Sequence, residues 1–224
     1  MKTSPASPDP AAPTLNERVA EQIRQRIVQG EYPPGTRLSE ASLSENLGIS
    51  RNTLREVFRL LSKEGLLKHE PHRGMFVAVP SMASIIDIYR VRRLIECQAL
   101  AQAYPRHPAR QHLRAAVQSA LACRDAQDWK GVGTANMAFH MAIVELADSE
   151  RLNHLFAQVL VELRLAFGLL NDPEFLHAPY VDMNVRILEQ FEAGQFAQAA
   201  ATLNDYLVQS ERLVLAAYAR RLPT

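Results

Sequence analysis

Apolar residues in the first third of the chain recur at helical spacing, in short stretches bounded by capping residues and glycines. The first stretch forms one stripe at four-residue intervals, made of Val19, Ile23 and Ile27. Thr14 and Glu17 have the spacing of a capping box ahead of this stripe, and Gly30 follows it. The pattern predicts a helix between Thr14 and Gly30.

Two further helices are predicted after a turn at Pro33-Pro34-Gly35. Ser39 is placed to cap a short helix that ends at Leu47, and Ser50 is placed to cap a longer helix over 51–64. The longer helix has one apolar face, formed by Leu54, Val57, Phe58 and Leu61. A separate, solvent-facing line on it is formed by Arg51, Arg55 and Arg59.

Strand composition follows the third helix. Residues 66–69 and 75–79 flank a bend at 71–74 that contains Arg73 and Gly74. Three helices and this hairpin wing predict a winged helix-turn-helix domain over 14–80. Residues 1–13, rich in proline, alanine and serine, predict a disordered tail and not a signal peptide.

From Met82 onwards the pattern is helical, without strand signals. The predicted helices cover 83–103, 109–127, 133–147, 151–170, 179–193 and 195–221. Their short connections predict an antiparallel bundle. The fold class is therefore mainly α, with a winged helix-turn-helix followed by an all-α effector-binding and dimerisation domain over 81–224.

Composition narrows the class of protein. Hydrophobic residues make up 47% and charged residues 22%, as in globular domains, and no apolar run reaches the length of a membrane span. The net charge of +1 means that any DNA-binding surface has to be local. Cys97 and Cys123 lie in apolar helical patterns and are expected to be reduced thiols, which favours a cytoplasmic protein.

The start of the third helix carries side chains suited to DNA. Cationic side chains suit phosphates, while fork-shaped and hydroxyl donors suit base edges. The candidates are Ser50, Arg51, Asn52, Thr53 and Arg55. Arg37 is placed to hold a phosphate, and Arg73 and Gly74 at the wing suit a minor-groove or backbone approach. The alternative, a merely solvated arginine face, fits the surrounding motifs less well.

These motifs resemble the GntR family of bacterial transcription regulators in order and spacing. The resemblance is carried by residues 19–30, 34–40, 47–56, 64–67 and Arg73-Gly74. It implies that Arg37, Arg51, Thr53 and Arg55 contact DNA, with Arg73 and Gly74 on the wing. The chain has Asn52-Thr53-Leu54 where many members have Thr-Pro-Val. That departure affects the operator sequence and not the fold.

The second domain resembles the FCD type of GntR effector domain, the branch of the fatty-acid-metabolism regulator. The resemblance is carried by residues 92–96, 136–140, 184–188, Gly194 and 200–207. Many members bind a divalent metal through an Asp, a His four residues later, and two further His. The chain has Asn136, His140, Asn184 and Tyr206 at those positions. His140 is the only retained ligand, so no metal cofactor is expected. Arrangements that use His112, His154 or His177 stay open.

The same four side chains predict a pocket for a small molecule. Asn136 and His140 share a helix face, and the resemblance brings Asn184 and Tyr206 to the same cavity. Arg92 is expected to supply the positive charge for a carboxylate effector. The alternative is a hydrogen-bonded core histidine and a packed amide, with nothing bound.

The sequence therefore predicts a transcription repressor that binds a two-fold DNA operator as a homodimer and is controlled by a small organic acid. The effector would shift the dimer between geometries with different spacing of the recognition helices. A second hypothesis is a constitutive DNA-binding or protein-docking module whose pocket is degenerate. An enzyme would need a catalytic constellation, and none stands out in the sequence.

Overall fold

The computed structural model describes residues 13–170 and 172–220, which form two compact units. Ala78 ends the first unit and Val79 begins the second. The tail predicted at 1–13 lies outside the described residues, except for Pro13. No helix within the two described ranges combines the length and the apolarity that crossing a membrane requires.

The first unit has the predicted helices and wing. Its helices are α1 (Leu15–Val28), α2 (Glu40–Asn46) and α3 (Arg51–Lys63), and its strands are β1 (Arg37–Leu38), β2 (Leu67–Glu70) and β3 (Gly74–Val77). The capping box of Thr14 and Glu17 is present, and the side chains of Ser39 and Ser50 cap α2 and α3. The predicted winged helix-turn-helix is confirmed.

Strand β1 was not predicted. The three strands are antiparallel in the order β1-β3-β2, with Arg37 opposite Phe76 and Glu70 opposite Gly74. A strand of two residues has no detectable hydrophobic period, which is why the sequence pattern missed it. Arg37 therefore lies in the sheet, next to the hairpin wing.

The second unit is entirely helical within its described residues. Its helices are α4 (Met82–Ala101), α5 (Arg110–Asp125), α6 (Trp129–Glu145), α7 (Glu150–Gly168), α8 (Pro173–Glu192) and α9 (Phe196–Ala219). Helix α4 packs against α6, α7 and α9, and α6 also packs against α5 and α8. Helix α6 is thus surrounded by its neighbours, and polar side chains on it become buried.

Two predicted helix starts are wrong. Helix α6 begins four residues early, at Trp129, because the Asp128 carboxylate accepts a hydrogen bond from the Gly131 N–H and caps the helix. Helix α8 begins at Pro173, where a missing N–H is tolerated, and continues through Pro179. The sequence pattern predicts a helix start at Pro179, whereas the helix accepts the loss of one backbone hydrogen bond there.

Candidate functional sites

The start of α3 is held in shape by its cap. The Ser50 hydroxyl accepts a hydrogen bond from the Thr53 N–H at 3.1 Å and lies 2.9 Å from the Thr53 hydroxyl. Ser50, Arg51 and Asn52 are exposed, and Thr53 is half-buried. The first turn of α3 therefore presents a guanidinium and an amide to solvent from a fixed backbone.

Arg55 lies one turn further along α3 and is ion-paired. Its Nε is 2.9 Å from Oε2 of Glu40, the first residue of α2. More than half of the Arg55 side chain is exposed, so the pair is worth less than about 1 kcal/mol. A phosphate or a guanine could replace Glu40 as the partner of Arg55 at little energetic cost.

Arg37, Arg73 and Gly74 lie together at the wing. A Cβ placed on Gly74 would be 3.6 Å from Nε of Arg37. Arg73 donates a hydrogen bond to Glu70, and its guanidinium lies 5.1 Å from the centre of the Phe76 ring. Gly74 has a φ of +103°, which only glycine adopts readily. The guanidinium groups of Arg37 and Arg73 therefore lie on either side of Gly74, where the wing backbone bears no side chain.

The five predicted effector residues lie in one buried hydrogen-bonded chain across four helices. Arg92 Nε of α4 donates to Glu96 Oε1 at 2.7 Å, and Glu96 Oε2 is 2.5 Å from Nδ1 of His140 on α6. Nε2 of His140 is 3.0 Å from the Tyr206 hydroxyl on α9. Arg92, Glu96 and His140 are each at most 2% exposed.

This series of hydrogen-bonded side chains ends at two asparagines. The Tyr206 hydroxyl donates to Oδ1 of Asn136 on α6 at 3.1 Å. Nδ2 of Asn184 on α8 donates to the same oxygen at 2.7 Å. Helices α4, α6, α8 and α9 thus each contribute at least one side chain, and we call Arg92, Glu96, Asn136, His140, Asn184 and Tyr206 the polar chain.

Glu96 was missed as a site residue. Its signal in the sequence was its position four residues after Arg92, which is the spacing of a helical ion pair. Arg92 is expected from the sequence to be available for a carboxylate effector, whereas Glu96 already engages its Nε. The Arg92 Nη2 nitrogen is buried and has no hydrogen-bond partner among the described residues, so part of the guanidinium lacks an acceptor.

The ionisation of the polar chain follows from burial and from this ion pair. Burial would raise the pKa of Glu96, but Arg92 and then His140 outweigh it, and the pKa lies below its ordinary value. Burial lowers the pKa of His140, with Glu96 acting in the opposite direction. Burial raises the pKa of Tyr206. The Arg92 cation and the Glu96 anion therefore balance each other within the buried polar chain, beside a neutral Tyr206 phenol.

Two atoms of the polar chain are buried without a hydrogen-bond partner in the described part of the structure. They are the donor Nη2 of Arg92 and the acceptor Oδ1 of Asn184. A buried polar atom without a partner destabilises the fold by about 1–3 kcal/mol, so natural proteins rarely leave one. The first atom lacks a hydrogen-bond acceptor, and the second lacks a donor.

The polar chain does not fit a metal ion. Both ring nitrogens of His140 are engaged, and Asn136, Asn184 and Tyr206 offer two neutral amides and a phenol. Nowhere in 13–170 or 172–220 do three His, Cys, Asp or Glu side chains gather to hold a metal.

The other histidines considered from the sequence lie elsewhere. His112 pairs with Glu145 at 2.6 Å, and His154 is 3.5 Å from Gln158. His177 is buried against Gly133, where an added Cβ would come within 2.6 Å of its Nε2. Burial, followed by the charge of Arg164, lowers the pKa of His177 to about 4, so its ring is neutral at physiological pH.

Comparison with known proteins gives matches to both units. The family model described as bacterial regulatory proteins, gntR family, matches residues 15–77, and the FCD domain model matches residues 87–209. The crystal structure of a GntR transcriptional regulator from Rhodococcus sp. RHA1 is 36% identical, with a TM-score of 0.87 over 91% of this chain and 98% of that chain.

Two curated relatives are similar over shorter stretches. The HTH-type transcriptional regulator YdhC of Bacillus subtilis is 35% identical over 75 residues, which are 34% of this chain and 34% of the relative. The HTH-type transcriptional repressor RspR of Escherichia coli K12 is 35% identical over 89 residues, 40% of this chain and 39% of that protein. The chain thus spans well under half the length of these two relatives. Both are named as transcription regulators and neither as an enzyme.

Proposed function

Because the chain belongs to the GntR family of bacterial regulatory proteins, in the branch with an FCD domain, we propose that it is a DNA-binding transcription repressor controlled by a small organic acid. The observation that carries the proposal is the exposed, Ser50-capped start of α3, which presents Arg51 and Asn52 to solvent. As a repressor it acts in the cytoplasm, on double-stranded DNA.

The two groups of DNA-facing residues have different roles in this proposal. Helix α3 enters the major groove, where the Arg51 fork and the Asn52 amide read base edges and Arg55 exchanges Glu40 for DNA. Arg37 and Arg73 hold phosphates on either side of Gly74, where the wing backbone can approach the minor groove. The protein binds a two-fold operator as a homodimer.

The experiment that tests DNA binding is selection of duplexes from a random library, followed by a salt series on the selected duplex. We expect a two-fold symmetric site whose affinity falls linearly with salt on logarithmic axes, because arginines displace counterions from phosphates. An affinity independent of ionic strength would contradict phosphate contacts by Arg37 and Arg73. Selection of a single asymmetric half-site would contradict the homodimer.

The effector site in this proposal is the polar chain. The free Nη2 donor of Arg92 suits a carboxylate oxygen, and the free Oδ1 acceptor of Asn184 suits a hydroxyl. A small hydroxy acid carries both groups. Binding of this acid shifts the dimer towards a geometry that fits the operator poorly, and effector and operator then weaken each other's binding by the same factor.

One observation favours a second function, that of a constitutive DNA-binding or docking module. Most polar groups of the polar chain form hydrogen bonds with one another without any ligand. A thermal-shift screen with hydroxy acids, sugar acids and amino acids, in the presence of a chelator, separates the two functions. A ligand at a hundredfold excess over its Kd stabilises the protein by about 3 kcal/mol, so the absence of any shift would favour the module.

Substitutions in the polar chain are expected to weaken the effector response without weakening operator binding. Tyr206→Phe removes the hydroxyl that joins His140 to Asn136, and Asn136→Ala removes the oxygen that Tyr206 and Asn184 share. Each substitution should at least halve the thermal shift produced by an acid found in the screen. Operator affinity, measured by fluorescence anisotropy, should change less than about twofold because the proposed base contacts come from α3, in the first unit.

The matched control is Tyr218→Phe, on the same helix. Tyr218 is also buried, and its hydroxyl donates to the Pro80 carbonyl, outside the polar chain. This variant should lose a comparable hydrogen bond but keep the full thermal shift. If the folded Tyr206→Phe and Asn136→Ala variants keep the full thermal shift, or if Tyr218→Phe loses the shift to the same extent, the polar chain is not the effector site.

A further inference from the structure

The helical unit exposes a large apolar side chain in the middle of each of two neighbouring helices. Leu94 on α4 is 70% exposed, and Leu155 on α7 is 46% exposed. Helices α4 and α7 pack against each other. A single exposed leucine is ordinary on a protein surface, whereas two that lie side by side form the beginning of a binding patch.

The two leucines lie at the same level of the bundle. The charge of Asp87 on α4 acts on Glu162 of α7, so these two carboxylates are neighbours. Short connections join the successive helices from α4 to α7, so α4 and α7 run in opposite directions. Leu94 is seven residues after Asp87, and Leu155 is seven residues before Glu162. At about 1.5 Å per residue, both leucines lie about 10 Å from the carboxylates, in the same direction along the bundle.

Glu162 lacks a counter-charge at one end of this patch. Its side chain is half-buried, and burial, followed by the negative charge of Asp87, raises the pKa of Glu162. Asp87 has Arg90 as its ion-pair partner at 3.5 Å. Within 13–170 and 172–220, Glu162 forms no salt bridge with any cation. A cation supplied from outside this chain would stabilise its charged form.

An exposed arginine lies beyond the leucines, at the opposite end of the patch. Arg151 is four residues before Leu155 and eleven before Glu162, and these spacings put all three on one side of α7. Arg151 forms no salt bridge in the part of the chain that the structure describes. The order along α7 is therefore a cation, an apolar side chain and an anion. We call Leu94, Arg151, Leu155 and Glu162 the α4–α7 face.

The α4–α7 face is complementary to a second copy of itself. A two-fold axis through the leucines, perpendicular to the helices, packs the leucines of two copies together and reverses the order of the charges. Arg151 of one protomer then lies opposite the partner subunit's Glu162, and the symmetry makes this contact twice. Arg151 is about 6 Å from the axis and Glu162 about 10 Å, a difference that the long arginine side chain can span. The apolar centre and both charges are thus used in one contact.

We propose that the α4–α7 face is the interface of the homodimer, with the leucines at its centre and a contact between Arg151 and Glu162 at each end. The inference rests on the proposed homodimer and names the surface that forms it. Helix α4 also carries Glu96 of the polar chain on its buried side. One helix therefore joins the polar chain to the partner subunit.

The test is sedimentation velocity of the full chain over a range of micromolar concentrations, without DNA or effector. We expect the wild type to form dimers. Arg151→Glu and Glu162→Arg should each raise the Kd of the dimer at least about tenfold, because each puts like charges opposite each other at two contacts. An equimolar mixture of the two variants should restore dimers. In the mixed dimer the two introduced charges meet at one contact, and the original Arg151 and Glu162 meet at the other.

The matched control is Arg186→Glu, the same charge reversal on α8. Arg186 is exposed, and α8 packs against α5, α6 and α9 and not beside the α4–α7 face. This variant should change the Kd of the dimer less than about twofold. If a charge reversal does not fold by circular dichroism, Leu94→Gln tests the centre of the face and should also weaken the dimer at least about tenfold.

The possible results separate this interface from the proposed function. Wild-type dimers that the folded face variants do not weaken, or variants whose mixture does not restore dimers, would overturn the interface. The homodimer would then form through another surface, and the face would belong to a different partner. A wild type that stays monomeric throughout would overturn the interface and the proposed homodimer together.

Discussion

Glu96→Ala is expected to lower the free energy of unfolding of the helical unit by about 3–5 kcal/mol, the largest stability effect we foresee in this protein. Glu96 is fully buried between Arg92 and His140 and accepts hydrogen bonds from both. Its removal leaves the Arg92 cation buried without a partner, while the methyl group that replaces it also leaves a cavity. Urea denaturation followed by the fluorescence of Trp129, the single tryptophan of the chain, reports on this unit directly.

The matched control is Asp87→Ala, on the same helix. Asp87 lies 3.5 Å from Arg90 in an ion pair whose side chains are both well exposed. Its loss should change the free energy of unfolding by less than about 1 kcal/mol. If Glu96→Ala were no more destabilising than this control, the Arg92 charge would have to reach water in the variant, and the polar chain would not be a sealed site.

The pH dependence of stability gives an independent check on Glu96. Its pKa in the folded protein lies below the ordinary value, since Arg92 and His140 outweigh the effect of burial. The stabilisation from this group is therefore complete above the unfolded pKa of about 4.3 and is lost as the pH falls through the folded value. Glu96→Ala should remove this part of the acid sensitivity.

Features fixed by local chemistry could be predicted from the sequence. The caps of α1, α2 and α3 depend on residues three positions apart, and the structure has all three. The helical character of the second unit follows from the apolar period alone. Strand β1 was missed because two residues show no hydrophobic period and because its pairing partner, β3, lies nearly forty residues further along the chain.

The candidate effector site was also predictable only in part from the sequence. Four of the five effector residues were selected by resemblance and Arg92 by its positive charge, and the structure brings all five within one hydrogen-bonded chain. The ion pair of Arg92 with Glu96 was not predicted as part of the site, because a helical i, i+4 pair is usually a solvated surface pair. Only the packing of α4 against α6 and α9 shows that this pair is buried.

Arg51→Ala is expected to weaken binding to the duplex obtained by selection about 5- to 150-fold, equivalent to about 1–3 kcal/mol, and to relax base preference at one position of each half-site. Arg51 is exposed on the first residue of α3, and Ser50 fixes the backbone beneath it. It makes no salt bridge to any residue that the structure describes, so its guanidinium reaches a guanine without first leaving a carboxylate. Fluorescence anisotropy with the selected duplex and with single-base variants measures both effects.

Two other arginines separate base reading from phosphate binding in the same assay. Arg37→Ala, at the wing, should weaken binding to selected and unrelated duplexes alike. It should also reduce the slope of log affinity against log salt concentration by about one. Arg59→Ala should change affinity less than about twofold, since Arg59 lies two turns after Arg51 and pairs with Glu56 on its own helix at 2.6 Å. If Arg51→Ala instead weakens all duplexes equally and lowers the salt slope, Arg51 binds a phosphate and the base reading passes to Asn52 and Arg55.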